Sequence, residues 1–294
     1  MSSPFVRRRR LAAELRALRE EHGLTAEQLS QRLYRSRMKI SRLENARGRP
    51  DIAAVIKILD ALDVTGDRRE KIITIAVEAA ERGWWDSFGN SMGRRQRLYA
   101  DVESGAATIR GYNQMSISGL LQAAEFHQAL IDLDAAEAPE LDYVPARIIE
   151  ARRMRQETVF RPDGPTCEII LDEYVLKRLP VPPAVMAAQL RHMVDVLSHQ
   201  PRFTLRLLPL DVRIITGSLQ ASSFMLYTFP DLADPPMVVS EMFTTDLVLT
   251  KPEEVASYER HYDRLSQAAL PALESLSHFA DTADRLNEQI GSGT

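Results

Sequence analysis

The chain has 294 residues, 45% hydrophobic and 27% charged, enough for about two domains of ~100–200 residues with packed cores. No stretch approaches the ~18 apolar residues of a membrane helix, and the N-terminus leads into Arg7-Arg8-Arg9-Arg10 with no apolar signal segment behind it, so a cytoplasmic protein without membrane attachment is expected. The single cysteine, Cys167, excludes an internal disulfide framework and any Cys-rich zinc site, and it reads as a small buried apolar residue of a strand. The balance of 37 basic and 41 acidic residues hides an asymmetry: residues 1–64 hold 14 Lys/Arg against 8 Asp/Glu, and the rest 23 against 33. A basic head on an acidic body suggests that the head meets a polyanion.

Leu11, Leu15 and Leu18 recur at helical spacing between Arg7 and His22, and Gly23 closes that helix. Thr25 is placed to cap a second helix carrying Leu29 and Leu33, Ser36 a third reaching Asn45, and Asp51 a fourth running through Leu62. Asp67 opens a fifth that ends at Arg82 before Gly83. Residues 1–83 are thus expected to form an all-helical unit. Trp84-Trp85-Asp86 follows at once; paired tryptophans at a domain edge read as a docking point between domains, with a ligand-facing role as the alternative. The next residues, 95–159, read as largely helical, in segments Leu98–Ile109, Ile117–Asp132 and Pro145–Val159. From Thr166 the pattern changes to β-branched and aromatic runs, Thr166–Leu171, Phe203–Leu208, Ser222–Phe229 and Met237–Phe243, which read as strands. Helices are expected at Pro183–His199 and Pro252–Phe279, and a polar tail over 281–294. The expected fold class is α+β, mostly helical: a five-helix N-terminal domain, then a helical domain with a small, partly antiparallel sheet over 84–280.

The third helix carries the functional signal. On a wheel of ~100° per residue, Arg37, Met38, Ser41, Arg42 and Asn45 share one sector, while Ile40 and Leu43 point the other way, toward Leu29 and Leu33. The outward set holds two guanidinium groups, a hydroxyl, an amide and a flexible apolar chain, and no acid. It suits a DNA major groove, where arginine bonds guanine O6 and N7 in bidentate fashion. Over residues 8–65 the chain resembles the Xre type of helix-turn-helix, the family of the phage repressors and Cro, and the likeness extends through Asn45-Ala46-Arg47-Gly48-Arg49-Pro50 and the following helix. The resemblance implies that Ser36–Asn45 is the reading helix, that Arg37, Met38 and Arg42 touch base edges with Ser41 between them, and that Asn45, Arg47 and Arg49 meet phosphates. It also implies a structural salt bridge between Arg19 and Glu44. Ala26 stands where many relatives place a phosphate-binding glutamine, so that contact passes to Thr25 or Gln28, or is absent. Tyr34 stands where glycine is usual in the turn, and a bulky residue at positive φ is costly, which leaves the turn geometry open. The Arg7–Arg10 run reads either as an arm entering a minor groove or tracking phosphates, or as the solvated start of the first helix.

The larger domain has no glycine-rich phosphate loop, no Gly-x-Ser-x-Gly elbow and no pair of histidines at three- or four-residue spacing. Its histidines are scattered, and His192 and His199, seven residues apart, are too distant to bind one metal. Asp172-Glu173 reads as a helix cap, and Arg147–Arg155, interleaved with Glu150, as a solvated helix face. No catalytic, cofactor-binding or metal-ligating residue is assigned, and the protein is not expected to be an enzyme. Residues 84–280 resemble the uncharacterised domain that follows an Xre-type head in many actinobacterial regulators, through Gly83-Trp84-Trp85, Ala107-Thr108-Ile109-Arg110-Gly111-Tyr112, Gly119-Leu120-Leu121-Gln122, Arg155-Gln156-Glu157, Leu171-Asp172-Glu173 and Leu207-Leu208-Pro209. Where relatives carry a Gly-His-Pro-Gly-like loop, this chain reads Val212 to Leu219. The resemblance implies a transcriptional regulator that binds double-stranded DNA, with a small acidic protein as a possible partner. One reading helix covers only a few base pairs, so a homodimer is expected. The alternative is a protein-interaction module, antitoxin-like or scaffold, that uses DNA binding for localisation; an enzyme on a small molecule ranks third.

Overall fold

The computed structural model describes residues 2–34, 36–137, 143–214, 222–242 and 245–292. Five helices build the head: α1 (Pro4–Glu21), α2 (Ala26–Arg32), α3 (Arg37–Glu44), α4 (Ile52–Ala61) and α5 (Gly66–Ala80). Helix α1 begins one turn before Arg7, because Ser3 takes the cap position, accepting from the Val6 N–H at 3.3 Å, and Pro4 needs no donor partner in the first turn. Leu11, Leu15 and Leu18 then meet Leu29, Ile40 and Leu59 in one closed core.

The body is a mixed six-stranded sheet, order β3-β2-β1-β4-β5-β6, formed by β1 (Thr108–Asn113), β2 (Thr166–Asp172), β3 (Phe203–Leu208), β4 (Phe224–Thr228), β5 (Met237–Glu241) and β6 (Asp246–Leu249). Strands β1 to β3 run parallel and β4 to β6 antiparallel. Helices α6 (Gly93–Gly105), α7 (Ala124–Glu137), α8 (Pro145–Phe160), α10 (Pro183–His199) and α12 (Ala272–Ser292) accompany the sheet, with the short α9 (Tyr174–Lys177) after β2. One sheet face, bearing Ile109, Ile169, Leu205 and Tyr227, joins Tyr99, Leu190 and Phe279 in the main core. The other face, bearing Tyr112, Ile170 and Phe224, is covered by Tyr262 and Leu265 of α11 (Pro252–Ala268).

Several sequence expectations are corrected. Leu98–Ile109 is not one helix: α6 stops at Gly105 and Thr108 starts β1, the strand at the centre of the sheet. Ile109 and Tyr112 are buried on opposite faces, a pattern that a helical wheel misreads. Ile117–Ala123 is built of turns, held by the Gln122 amide donating to the Ile117 carbonyl at 2.7 Å, and the helix begins only at Ala124. Pro252–Phe279 is two helices, parted around Pro271, whose ring cannot continue the ladder. The segment 281–292 is helical, not a tail, with Thr282, Ala283 and Leu286 buried. Strand β6 was not anticipated; it is a four-residue edge strand. Phe243 and the Ile215–Leu219 part of the loop lie outside the described residues. Cys167 is buried in β2 and its thiol is pushed up to about 12 by burial.

The first turn of α1 belongs to the body. Val6 is wholly buried in the main core, and Asp101 of α6 accepts from the Ser3 hydroxyl at 2.8 Å and the Phe5 N–H at 2.9 Å. Gly105 makes this approach possible, because a Cβ there would lie 2.3 Å from the Ser3 nitrogen. The arginine run is neither a free arm nor a solvated helix start. Arg7 and Arg10 are buried and converge on Asp231 (3.0 and 2.5 Å) and Asp234 (3.1 and 3.2 Å), while Arg7 also pairs with Glu78 at 2.8 Å. Arg8 pairs with Asp101 at 3.2 Å. Thus three of the four arginines, Arg7, Arg8 and Arg10, tie the head to the acidic body, while Arg9 lies over the Phe5 ring, 5.1 Å from its centroid.

Candidate nucleic-acid interface

Helix α3 is clamped from behind and bare in front. Ile40 is 2% and Glu44 6% exposed. Arg19 grips Glu44 through two parallel bonds, Nε to Oε1 at 2.7 Å and Nη2 to Oε2 at 3.0 Å, and donates a third to the Leu24 carbonyl at 2.7 Å. Arg16 bonds the Glu44 carbonyl at 2.6 Å, satisfying one of the orphan acceptors at the end of α3. A planar bidentate pair of this kind fixes the roll of α3 about its axis. Arg37, Met38 and Arg42 are consequently exposed, Met38 to 71%, with Ser41 half-buried between them.

The α2–α3 connection keeps a tight turn despite its sequence. Tyr34 takes up the left-handed conformation at φ +51° with its side chain 97% exposed, which costs about 1–2 kcal/mol for a residue with a Cβ. Thr25 and Gln28 form a reciprocal capping box at the start of α2: Thr25 Oγ1 accepts from the Gln28 N–H at 3.2 Å, and Gln28 Oε1 accepts from the Thr25 N–H at 2.8 Å. Both side chains are exposed but occupied, so a phosphate contact there would have to compete with the cap. Ser36 sits at the N-cap of α3 without a side-chain cap bond, leaving its exposed hydroxyl available.

Beyond α3, the Asn45 amide turns back onto the Ser41 carbonyl at 2.7 Å. Ala46 (φ +53°) and Gly48 (φ +83°) fold the chain into a tight turn that presents Arg47 to solvent. Arg49 is not free: it bonds Asp86 of the Trp84–Phe88 turn at 2.5 Å. Arg37 approaches Glu27 at 3.8 Å, but both are more than half exposed, so the pair has little hold on the guanidinium. Two cations that the wheel did not select, Lys39 and Lys57, join Arg42, Arg47 and Arg49 around a hollow of about 210 Å3 between α3 and α4, floored by Leu33, Ile40, Leu43 and Ile58. Lys57 was invisible to a search confined to one helix, since only tertiary packing sets α4 beside α3.

The tryptophans do not themselves dock the two domains: both pack into one cluster of the body. Trp85 packs with Phe88, Met92, Ala100 and Ala151 inside the body, and Asp86 makes the contact to the head. Residues 10–72 match a helix-turn-helix domain, and residues 96–281, more than half of the chain, match the family described as Domain of unknown function (DUF5753). The chain belongs to the DUF5753 family. In this DUF5753 protein the N-terminal module is a helix-turn-helix DNA-binding domain, giving the architecture of a DNA-binding regulator. Comparison with curated proteins and with solved structures returned no match. Among the described residues, no helix is long and apolar enough to cross a membrane. The remaining carboxylates singled out in the body are structural: Asp172 accepts from the Tyr112 hydroxyl at 2.7 Å and the Tyr174 N–H at 2.9 Å, and Glu173 from the Leu210 N–H at 3.0 Å.

Proposed function

We propose that this protein is a sequence-specific transcriptional regulator of the Xre type, without catalytic activity, acting in the cytoplasm as a homodimer whose C-terminal domain mediates dimerisation and responds to a small acidic partner protein or an effector. The observation that carries the reading is the face of α3. Arg37, Met38, Ser41 and Arg42 project from a helix whose opposite side is locked by Ile40 and the Arg19–Glu44 fork. A helix held at a fixed roll presents both arginines on the same side, so less freedom is lost on docking than from a mobile helix. Arg47, Lys39 and Lys57 supply the flanking charge that neutralises phosphates. One such helix reads few base pairs, and two copies bound to half-sites about 34 to 36 Å apart would supply useful specificity.

The test is selection of bound fragments from genomic DNA, followed by titration of the recovered site. Arg37→Ala and Arg42→Ala are each expected to weaken specific binding by about 1–3 kcal/mol and to relax preference at one base position. Retention of the selected site by the double alanine variant would overturn the assignment. Footprints confined to a single half-site would overturn the dimer.

A further inference from the structure

The body contains a polar cavity that its fold does not explain. It lies at the carboxyl end of β1, where the chain leaves toward β2 on one side and later returns as β4 on the other. The cavity measures about 170 Å3, comparable to an engineered pocket of ~150 Å3 that holds benzene. It shares Arg95, Gln96, Gln122 and Arg152 with a wider cleft of about 820 Å3 between α6, α7 and α8.

Its lining combines satisfied pairs with orphans. Arg155 and Glu103 pair bidentately at 2.8 and 2.7 Å, Arg95 pairs with Asp246 at 2.9 Å, and Glu241 accepts from the Tyr99 hydroxyl at 2.8 Å. Asn113 Oδ1, Gln122 Oε1 and the Tyr227 hydroxyl have no partner, although these residues are 5%, 7% and 1% exposed. The Gln122 orientation is set, because its Nε2 donates to the Ile117 carbonyl, so the end left free is an acceptor. Arg152 Nε is also unpartnered, and Arg152 forms no ion pair with any carboxylate among the described residues. Its guanidinium rests over Gly119, where a Cβ would lie 2.1 Å from Nη1. Burial, reinforced by the neighbouring Arg155, pushes Arg152 down to about 9, so it still carries its charge at neutral pH. A buried cation that no carboxylate bonds directly, beside unmatched acceptors, is costly in a folded interior, even with the Glu103 and Glu241 carboxylates near enough to favour its charge. A ligand that supplies both an anion and donors removes that cost.

We propose that this cavity binds a small organic anion, its carboxylate or phosphate meeting Arg152 and Tyr227 and its hydroxyl or amino groups donating to Gln122 and Asn113. The ligand's regulatory meaning rests on the reading of this domain as the responsive part of a DNA-binding protein; its binding does not. The wider cleft accommodates the rest of the molecule.

Calorimetric titration of the full chain with gluconate, with glucose 6-phosphate and with uncharged glucose tests the assignment. Saturable binding of gluconate or glucose 6-phosphate is expected at millimolar concentration or below, with none for glucose, and the two charged arms separate a carboxylate from a phosphate ligand. Arg152→Gln is expected to weaken binding by about tenfold or more, the loss of one charge-assisted contact. Gly119→Ala does the same while keeping the arginine, because the added methyl displaces its tip, and it guards against misfolding of the first variant. Binding of neither charged probe, or equal affinity in both variants, overturns the proposal and leaves a water-filled cavity. Operator affinity measured on the same ligand-free preparations is expected to be unchanged. Loss of DNA binding in the wild-type chain with anion binding intact would count against the proposed function alone.

Discussion

Removing the carboxylate of Asp234 should loosen the head from the body. Its Oδ1 accepts from Arg7 Nη1 at 3.1 Å and Arg10 Nη1 at 3.2 Å, with side-chain exposures of 5%, 11% and 6% respectively. Breaking a buried pair by deleting one partner costs about 3–5 kcal/mol, because a charge is left uncompensated. Here the loss is tempered, since both arginines keep Asp231, 40% exposed, and Arg7 keeps Glu78. The expected cost of Asp234→Ala is therefore about 2–3 kcal/mol, below the usual range for a fully stranded charge. Burial pushes Asp234 above the ordinary carboxylate range even with two arginines beside it, a sign that desolvation offsets much of the attraction. An Arg10→Met, Asp234→Leu double variant should accordingly cost less than Asp234→Ala alone. Urea unfolding followed by tryptophan fluorescence gives the free energies, and hydrogen exchange of the α1 amides locates the opening. A cost under about 0.5 kcal/mol, within the range of ordinary surface substitutions, or a double variant as damaged as the sum of its parts, would refute this account of the docking.

Four other outcomes follow from the same geometry. Tyr34→Gly relieves left-handed strain of about 1–2 kcal/mol but adds unfolded-state freedom of about 0.5–1 kcal/mol, so a net gain of up to ~1 kcal/mol is expected from thermal unfolding; a loss would show that the tyrosine is not strained. Gly105→Ala places a methyl against the backbone of Ser3 and should raise the exchange rate of the first α1 amides, whereas unaltered rates would disprove the close approach. Arg47→Ala should lower the slope of log affinity against log salt by about 0.9, one phosphate contact, while Arg10→Met leaves it unchanged, because Arg10 is already paired; a reduced slope in Arg10→Met would return the arginine run to the DNA. Asp231 is held well below the usual carboxylate range, first by its hydrogen bond from Arg10, then by the Ala233 N–H and Arg7. A depressed folded-state value means stability that is present above the unfolded value near 4 and lost as pH falls through the folded one, so docking should weaken in acid, and Asp231→Asn should flatten that acid limb of a denaturation series.

The one phosphate candidate that lies nearest the body, Arg49, is bonded to Asp86, and Arg97 of α6 approaches the same carboxylate at 3.7 Å. Asp86 thus holds one cation from the head and one from the body.

Local signals in the sequence were sufficient for the order of helices in the head and for the outward face of α3. Leucines at helical spacing, capping residues at Thr25 and Asp51, and the segregation of Ile40 and Leu43 from Arg37 and Arg42 are all properties of neighbours within a few residues, and each acts through the bonds of one turn. The same holds for β2, β3 and α10, whose patterns are continuous. Local reading failed where a long-range partner overrode it: Thr108–Asn113 becomes a strand because β2 and β4 flank it, and Arg7 and Arg10 become a tether because Asp231 and Asp234, more than 220 residues away, fold beside them. Charge in a sequence carries no address. Only the tertiary structure decided which arginines lie open on α3 and which face the protein's own acids, since a buried cation must be paired by whatever packing brings within reach.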